Sequence, residues 1–419
     1  MRVVHLATID RGGAYTAAER YHKCMQRRGI ASGILVRTKC SEESDAECVF
    51  HNSTGELLSK ARNVINACMQ QGDIRPDPLG TDVSHLDKVV SADVIMIHWV
   101  QSFISLRGIE ELAKSDRPVV LVMHDTWAFT GGCHCNLGCM RYETGCGMCP
   151  QIRAGSRSDH DISAKLFEKK KRVIRDNGLY LTGPGKWVAQ SAIKSGVTEP
   201  DHITYIPDTV DTDVFYPIKA QHDDQGCKIL RDSIGLNPDK KVILFGAADS
   251  GTENVNKGFG YLVRAFDRLD PKSYQCLIFG NGSVPKDITD RFEVHSAGYI
   301  VNEDEMNKIY NLADVYVTPS LQETFGLTVC EAMAAGIPVT AFPTGGICDQ
   351  IDHEINGYLA KDRDPDSLAE GIGYCIENKE RLGSAARESV VKRFSMDIVS
   401  DILADYLKKI TGMENDGRQ

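Results

Sequence analysis

Two glutamates eight residues apart, Glu323 and Glu331, bracket a turn with the composition to hold an anion. A short apolar strand at 315–318 runs into Pro319-Ser320 and the turn, and Gly336 and Pro338 stop the helix that follows. Between the two acids, Phe325, Gly326 and Leu327 offer backbone N–H groups at a helix N-terminus. There the dipole and the orphan donors favour negative charge. Carboxylates on both sides of an amide cradle suit a ligand with a charged middle and hydroxyls at its ends, the outline of a nucleotide diphosphate sugar. The bland alternative is a strand–turn–helix with solvated acids, and the apolar flanks speak against it.

The elements that must position this turn alternate along the whole chain. Short apolar runs at 3–9, 31–36, 94–98, 119–124 and 180–182 read as strands of a first α/β domain. Runs at 242–246, 275–279, 294–298, 315–318 and 339–342 read as strands of a second. At 419 residues the chain exceeds a single core. With 42% hydrophobic and 25% charged residues it has an ordinary globular composition, and its net charge of −10 argues against nucleic acid as a partner. No apolar run reaches the ~18 residues that span a bilayer. The N-terminal run reads as a first strand rather than a signal peptide, so a cytoplasmic address is the expectation.

The string from Asp314 to Ala335, with Glu-Ala-Met-Ala-Ala-Gly-Ile-Pro-Val from Glu331, closely resembles the E-x7-E signature of the retaining GT-B glycosyltransferases of family 4. The resemblance implies two Rossmann-like, doubly wound domains facing across a cleft. It places an acceptor-side domain at 1–205 with a Cys-rich insertion at 131–160, a linker at 206–217, a donor domain at 218–395, and a helix at 396–419 that crosses back. In the linker, Asp208 and Thr209 stand where relatives carry Asn and Gly. Residues 413–419 should fray. Asp211-Thr212-Asp213 reads as a hinge rather than a metal-binding Asp-x-Asp, so no catalytic metal is expected.

The same resemblance assigns donor contacts. Glu323 would hold sugar hydroxyls and Glu331 the ribose. Ser320, Phe325, Gly326, Leu327 and Thr328 would line the diphosphate, with Tyr299 and Ile300 at the base. Lys257, before the helix at 259–269, would be a cationic clamp on the leaving group; a solvated loop lysine is the alternative. Relatives add an Arg just after the preceding strand, where this chain has Gly246-Ala247-Ala248. Gly12-Gly13 after the first strand would approach a phosphate or acceptor, or form a plain tight turn. His124, at a strand end, would contact donor sugar or phosphate, or serve as a structural histidine. Gly345-Gly346 would lie beside the donor.

The resemblance further implies retention of anomeric configuration and transfer from a UDP- or GDP-linked sugar to a glycan or polyprenyl-linked saccharide, as in exopolysaccharide, O-antigen or capsule assembly. Transfer to a small-molecule acceptor, and an inactive nucleotide-sugar-binding protein, are the competing readings.

Two features stand apart. Cys133, Cys135, Cys139, Cys146 and Cys149 fall within 17 residues of a Gly-rich loop, with His134 as a further potential ligand. Four such ligands suit structural zinc; disulfides or free thiols would also account for them, and an odd count leaves one cysteine over in either bonded scheme. A similar His-Asp-x-Trp-x-x-Thr-Gly-Gly-Cys stretch with later cysteines occurs in the family 4 subset that builds bacterial surface polysaccharides. The basic run Lys165, Lys169, Lys170, Lys171, Arg172 and Arg175 reads as a solvated helix face, or as contact with an anionic inner-membrane surface.

Overall fold

The computed structural model describes residues 1–50, 53–71, 74–218, 225–246, 255–282 and 284–413. Ala247-Ala248 and all but the first residue of the expected frayed tail lie outside them. The chain divides into two compact bodies, Met1–Asp208 with Asp397–Gln419, and Thr209–Met396.

The first body is built on seven parallel strands: β1 (Arg2–Ile9), β2 (Ala31–Thr38), β3 (Glu47–Cys48), β4 (Val94–Ile97), β5 (Val119–Val122), β6 (Tyr180–Gly183) and β7 (Ile203–Tyr205). Their order is β3-β2-β1-β4-β5-β6-β7. Parallel strands covered on both faces need apolar residues at every position, and Val-Ile-Met-Ile of β4 and Val-Val-Leu-Val of β5 are fully buried. Helix Met396–Thr411 belongs almost wholly to this body: Arg27 and Arg28 pair with Asp397 and Asp401 at 3.1 and 2.6 Å. Its buried face carries Val399, Leu403, Tyr406 and Leu407. Ile398 and Ile402, which helical spacing alone would group with these apolar residues, are exposed because the buried stripe is rotated by about one residue.

The second body holds β8 (Lys241–Gly246), β9 (Tyr274–Phe279), β10 (Val294–Ser296), β11 (Val315–Thr318), β12 (Val339–Ala341) and β13 (Tyr358–Leu359), all parallel, in the order β10-β9-β8-β11-β12-β13. Alternate residues of β8 feed two cores. Val242 and Leu244 join one cluster, and Ile243 and Phe245 join the other. The strand order reverses between β8 and β11, the position where open α/β sheets bind ligands beyond the carboxyl ends of their strands. In the first body the same reversal lies between β1 and β4.

Three strands, β3, β7 and β13, escaped sequence reading because two or three residues cannot show a period. Others end sooner than the apolar runs suggest. The His124 N–H donates to Val122 O at 3.0 Å, so the chain curls on itself before the histidine.

Candidate functional site

At the reversal point of the second sheet, two loops meet. The turn Val255–Lys257 follows β8, and residues 319–326 follow β11. Leu321 N–H donates to Asn256 O at 2.7 Å, and Asn256 Nδ2 donates to Gln322 O at 3.1 Å. Gly258 makes this approach sterically feasible. Its φ is 62°, and a Cβ there would lie 1.9 Å from Pro319 O. The result brings Lys257 Nζ to 2.6 Å from Glu323 Oε1, both side chains partly exposed. The two residues assigned to clamp and sugar are therefore ion-paired neighbours, although 66 residues separate them in the chain.

A third loop clasps the same turn from the β12 side. Gly346 N–H donates to Glu323 O at 2.9 Å and Thr344 Oγ1 to Leu321 O at 2.9 Å. A Cβ on Gly345, whose φ is 50°, would fall 1.8 Å from Glu323 O. Gly345-Gly346 thus serve close backbone packing that holds Glu323 in place. Gln350 Nε2 adds a bond to Phe325 O at 2.7 Å.

Helix Leu327–Ala334 starts from Gly326, whose φ of 97° suits only glycine. Among the described residues, the N–H groups of Gly326, Leu327 and Thr328 have no protein acceptor. The Phe325 side chain is buried in the core, packing edge-on to Phe394 at 5.4 Å. Its contribution to an anion site rests on the backbone. Glu331 is buried, and Tyr310 donates to its Oε2 at 3.0 Å. Tyr316 donates to Thr328 Oγ1 at 2.9 Å, and burial pushes the Tyr316 phenol well up. Ser320 is buried, 3.3 Å from Thr318 Oγ1. Tyr299 is exposed beyond β10, with Ile300 half-buried behind it. The sequence held no signal for Tyr310 or Gln350, which become partners only through packing.

The first body's carboxyl edge has a different chemistry. His5 Nδ1 lies 2.8 Å from His98 Nε2, and His98 Nδ1 lies 2.7 Å from His124 Nε2. The three rings stack, with centroids 5.1 and 5.0 Å apart. Burial holds His5 down to about 3 and His124 to about 4, so all act as neutral imidazoles. A buried histidine inside an apolar strand was the legible sign for His5 and His98; their stacking was not. Gly12 adopts φ 83° in open space and Gly13 begins helix Gly13–Arg27. Its positive φ gives glycine a backbone reason at position 12, and the space beside it is open. His134, a further potential ligand, sets Nδ1 2.5 Å from Asp125 Oδ2, and its buried Nε2 has no hydrogen-bond partner among the described residues.

In the cysteine loop none of the five cysteines is joined in a disulfide. Cys133, Cys139, Cys146 and Cys149 line one pocket, and Cys135 does not. Burial raises Cys133 and Cys149, and pushes Cys146 up to about 12. Among the described residues, no three His, Cys, Asp or Glu side chains stand as a set able to hold a metal ion. One member of the basic run departs from the solvated face expected of it. Lys170 is buried, donates to Trp127 O, and lies 4.4 Å over the Trp127 ring.

Residues 240–378, which contain every one of the second body's loops described above, match the family model for glycosyl transferases group 1. Over this segment the chain is similar to the group 1 glycosyltransferases. The chain is 34% identical over 199 residues to an uncharacterized glycosyltransferase of Methanocaldococcus jannaschii, covering 45% of this chain and 49% of that one. A D-inositol 3-phosphate glycosyltransferase of Xylanimonas cellulosilytica is 28% identical over 239 residues, covering 53% and 55%. The chain thus spans about half the length of the curated relatives it matches. Anabaena HepE, solved with UDP-glucose, superposes with a TM-score of 0.68 at 16% identity, covering 98% of this chain and all of that one. The fold is GT-B: two parallel-sheet, Rossmann-like domains.

Proposed function

We propose that this protein is a retaining glycosyltransferase of family 4 that takes a UDP- or GDP-linked sugar and transfers the sugar to a glycan or lipid-linked saccharide. The observation that carries the reading is the Lys257–Glu323 pair beside unpaired N–H groups at the sheet's reversal point. A diphosphate entering there would draw Lys257 onto its oxygens and release Glu323 toward sugar hydroxyls. Glu331, held by Tyr310, would receive the ribose.

In a front-face transfer, the bond from the anomeric carbon to the diphosphate oxygen breaks. The acceptor hydroxyl oxygen bonds to that carbon from the same side, and its proton passes to the leaving phosphate. Lys257 and the helix amides stabilise the departing charge. Exopolysaccharide, O-antigen or capsule assembly is the expected setting, supported by the likeness of the His124–Cys149 stretch to that subset. The likeness to a D-inositol 3-phosphate enzyme favours a small-molecule acceptor as the second reading.

No helix among the described residues is long and apolar enough to cross a membrane. The exposed Lys165, Lys169 and Arg172 support peripheral contact with an anionic inner-face membrane, which liposome co-sedimentation would test. A thermal-shift screen with nucleoside diphosphates tests the donor reading. Stabilisation by UDP or GDP, together with slow donor hydrolysis without acceptor, is expected. No stabilisation by any nucleoside diphosphate would overturn the donor site, and binding without hydrolysis or transfer would favour an inactive binding protein.

A further inference from the structure

We propose that helix Ser53–Cys68 seats the protein on an anionic lipid surface, lying in the interface with its apolar stripe at the headgroup–acyl boundary. The proposal rests on the membrane contact assigned to the basic helix Ile162–Asp176 and puts the apolar half of that contact on a different element.

This helix is inverted for a globular protein. Its buried side chains are polar, Ser59 and Asn66. Asn66 Nδ2 donates to Leu79 O at 2.8 Å, and Leu79 N–H donates back to Asn66 Oδ1 at 3.2 Å. Arg75 Nη2 donates to Asn63 O at 3.3 Å. Hydrogen bonds thus fasten the helix to the body, while Leu57, Leu58, Val64, Ile65 and Met69 are 47–68% exposed. Ala61 and Cys68 are exposed among them. A surface helix ordinarily does the opposite, burying its apolar side and giving its polar side to water.

Spacing joins these residues into one surface. At about 100° per residue, all seven fall within an arc of roughly 140°, a stripe more than three turns long. Single exposed apolar side chains are ordinary, but a contiguous patch marks an interaction surface. Removing it from water supplies driving force in proportion to the area covered.

Charge selects what covers it. Lys60 falls on one border of the stripe and Arg62 on the other. Lys60 also pairs with Glu56 at 2.7 Å, and the helix keeps a net charge of +1, two cations less one acid. Pairing with a second copy of the helix, parallel or antiparallel, would set cation against cation along both borders. Anionic headgroups complement both borders at once, because the long Lys and Arg stems can lie along apolar surface and keep their charges at the headgroups.

The neighbouring surface carries the same sign. Ile74, just beyond the helix, packs with Ile162 and Leu166 of the basic helix, which exposes Lys165, Lys169 and Arg172. An apolar stripe and a cationic patch therefore adjoin in one body, although the chain as a whole carries a charge of −10. Local cations of this kind attract acidic lipid.

Flotation of the full chain with vesicles of phosphatidylcholine, alone or mixed with phosphatidylglycerol, tests the proposal. Wild type is expected on the mixed vesicles and more weakly on phosphatidylcholine alone. Leu58→Gln combined with Ile65→Gln should weaken binding to the mixed vesicles by about tenfold or more. Ile65→Trp should be quenched by nitroxide-labelled lipid beyond the quenching of the wild-type tryptophans, a gained signal that no folding defect mimics. Wild type that stays off the mixed vesicles overturns the proposal. So does a double variant that binds like wild type, and loss of binding by Lys169→Gln with Arg172→Gln would then leave the contact on the basic helix alone. A concentration-dependent dimer that the double variant abolishes would give the stripe to a second copy and equally overturns it. Because the assay contains no nucleotide sugar, its outcome is separate from the donor reading.

Discussion

The two sheets share one architecture and place opposite electrostatics at their carboxyl edges. On the first, three imidazoles from β1 and from the ends of β4 and β5 stack in a desolvated column that stays uncharged. On the second, an ion pair, a buried carboxylate and unpaired amides crowd the reversal point. A neutral edge of ring nitrogens can exchange hydrogen bonds with hydroxyls but offers little to a phosphate. An edge with a lysine and helix amides does the reverse. Burial sets this difference, because the fold alone would allow either chemistry at either edge.

Removing the lysine should break the contrast most sharply. Lys257→Ala is expected to lower kcat by about 10²–10³-fold, the usual cost of losing one preorganised donor to a developing anion; steady-state transfer assays with the nucleotide sugar would measure it. An unchanged kcat would leave Lys257 a surface lysine.

Next comes the loop clasp. Gly345→Ala places a methyl against Glu323 O and should cost about 1–3 kcal/mol in urea unfolding. A neutral result would mean that the β12 loop does not hold the turn. Glu331→Gln keeps the shape and a Tyr310 hydrogen bond but removes the charge. It should weaken nucleotide binding about tenfold by calorimetry, with kcat less affected.

The neutral column gives an effect that shows only on acidification. His5 has its folded pKa lowered to about 3, so its contribution to stability is fully present above the unfolded value near 6.5. That contribution is lost as pH falls, at up to about 1.4 kcal/mol per pH unit. His5→Gln should therefore flatten the melting temperature between about pH 6.5 and 4 relative to wild type. Parallel pH curves would show that the histidine titrates freely.

Much of this was legible in the sequence, and for stated reasons. Strands covered on both faces announce themselves as apolar runs, so β1, β8 and β11 stood out. The turn between Glu323 and Glu331 has a local signal in Pro319, Gly326 and the helix stop. What stayed hidden depends on pairings distant along the chain. Lys257 finds Glu323 through a loop contact that Gly258 permits, and His5 meets His98 across 93 residues. Lys170 read as one more surface cation, because no local pattern says that Trp127 will cover it. Ile398 and Ile402 show that helical periodicity fixes a stripe only to within a residue or so.

Amide hydrogen exchange of the full chain, with and without UDP or GDP, addresses the donor site most directly. The backbone N–H groups of Gly326, Leu327 and Thr328 should slow markedly when nucleotide binds, and much less in Lys257→Ala. Nucleotide that binds while those amides exchange at their free rate, with protection appearing elsewhere, would contradict the account.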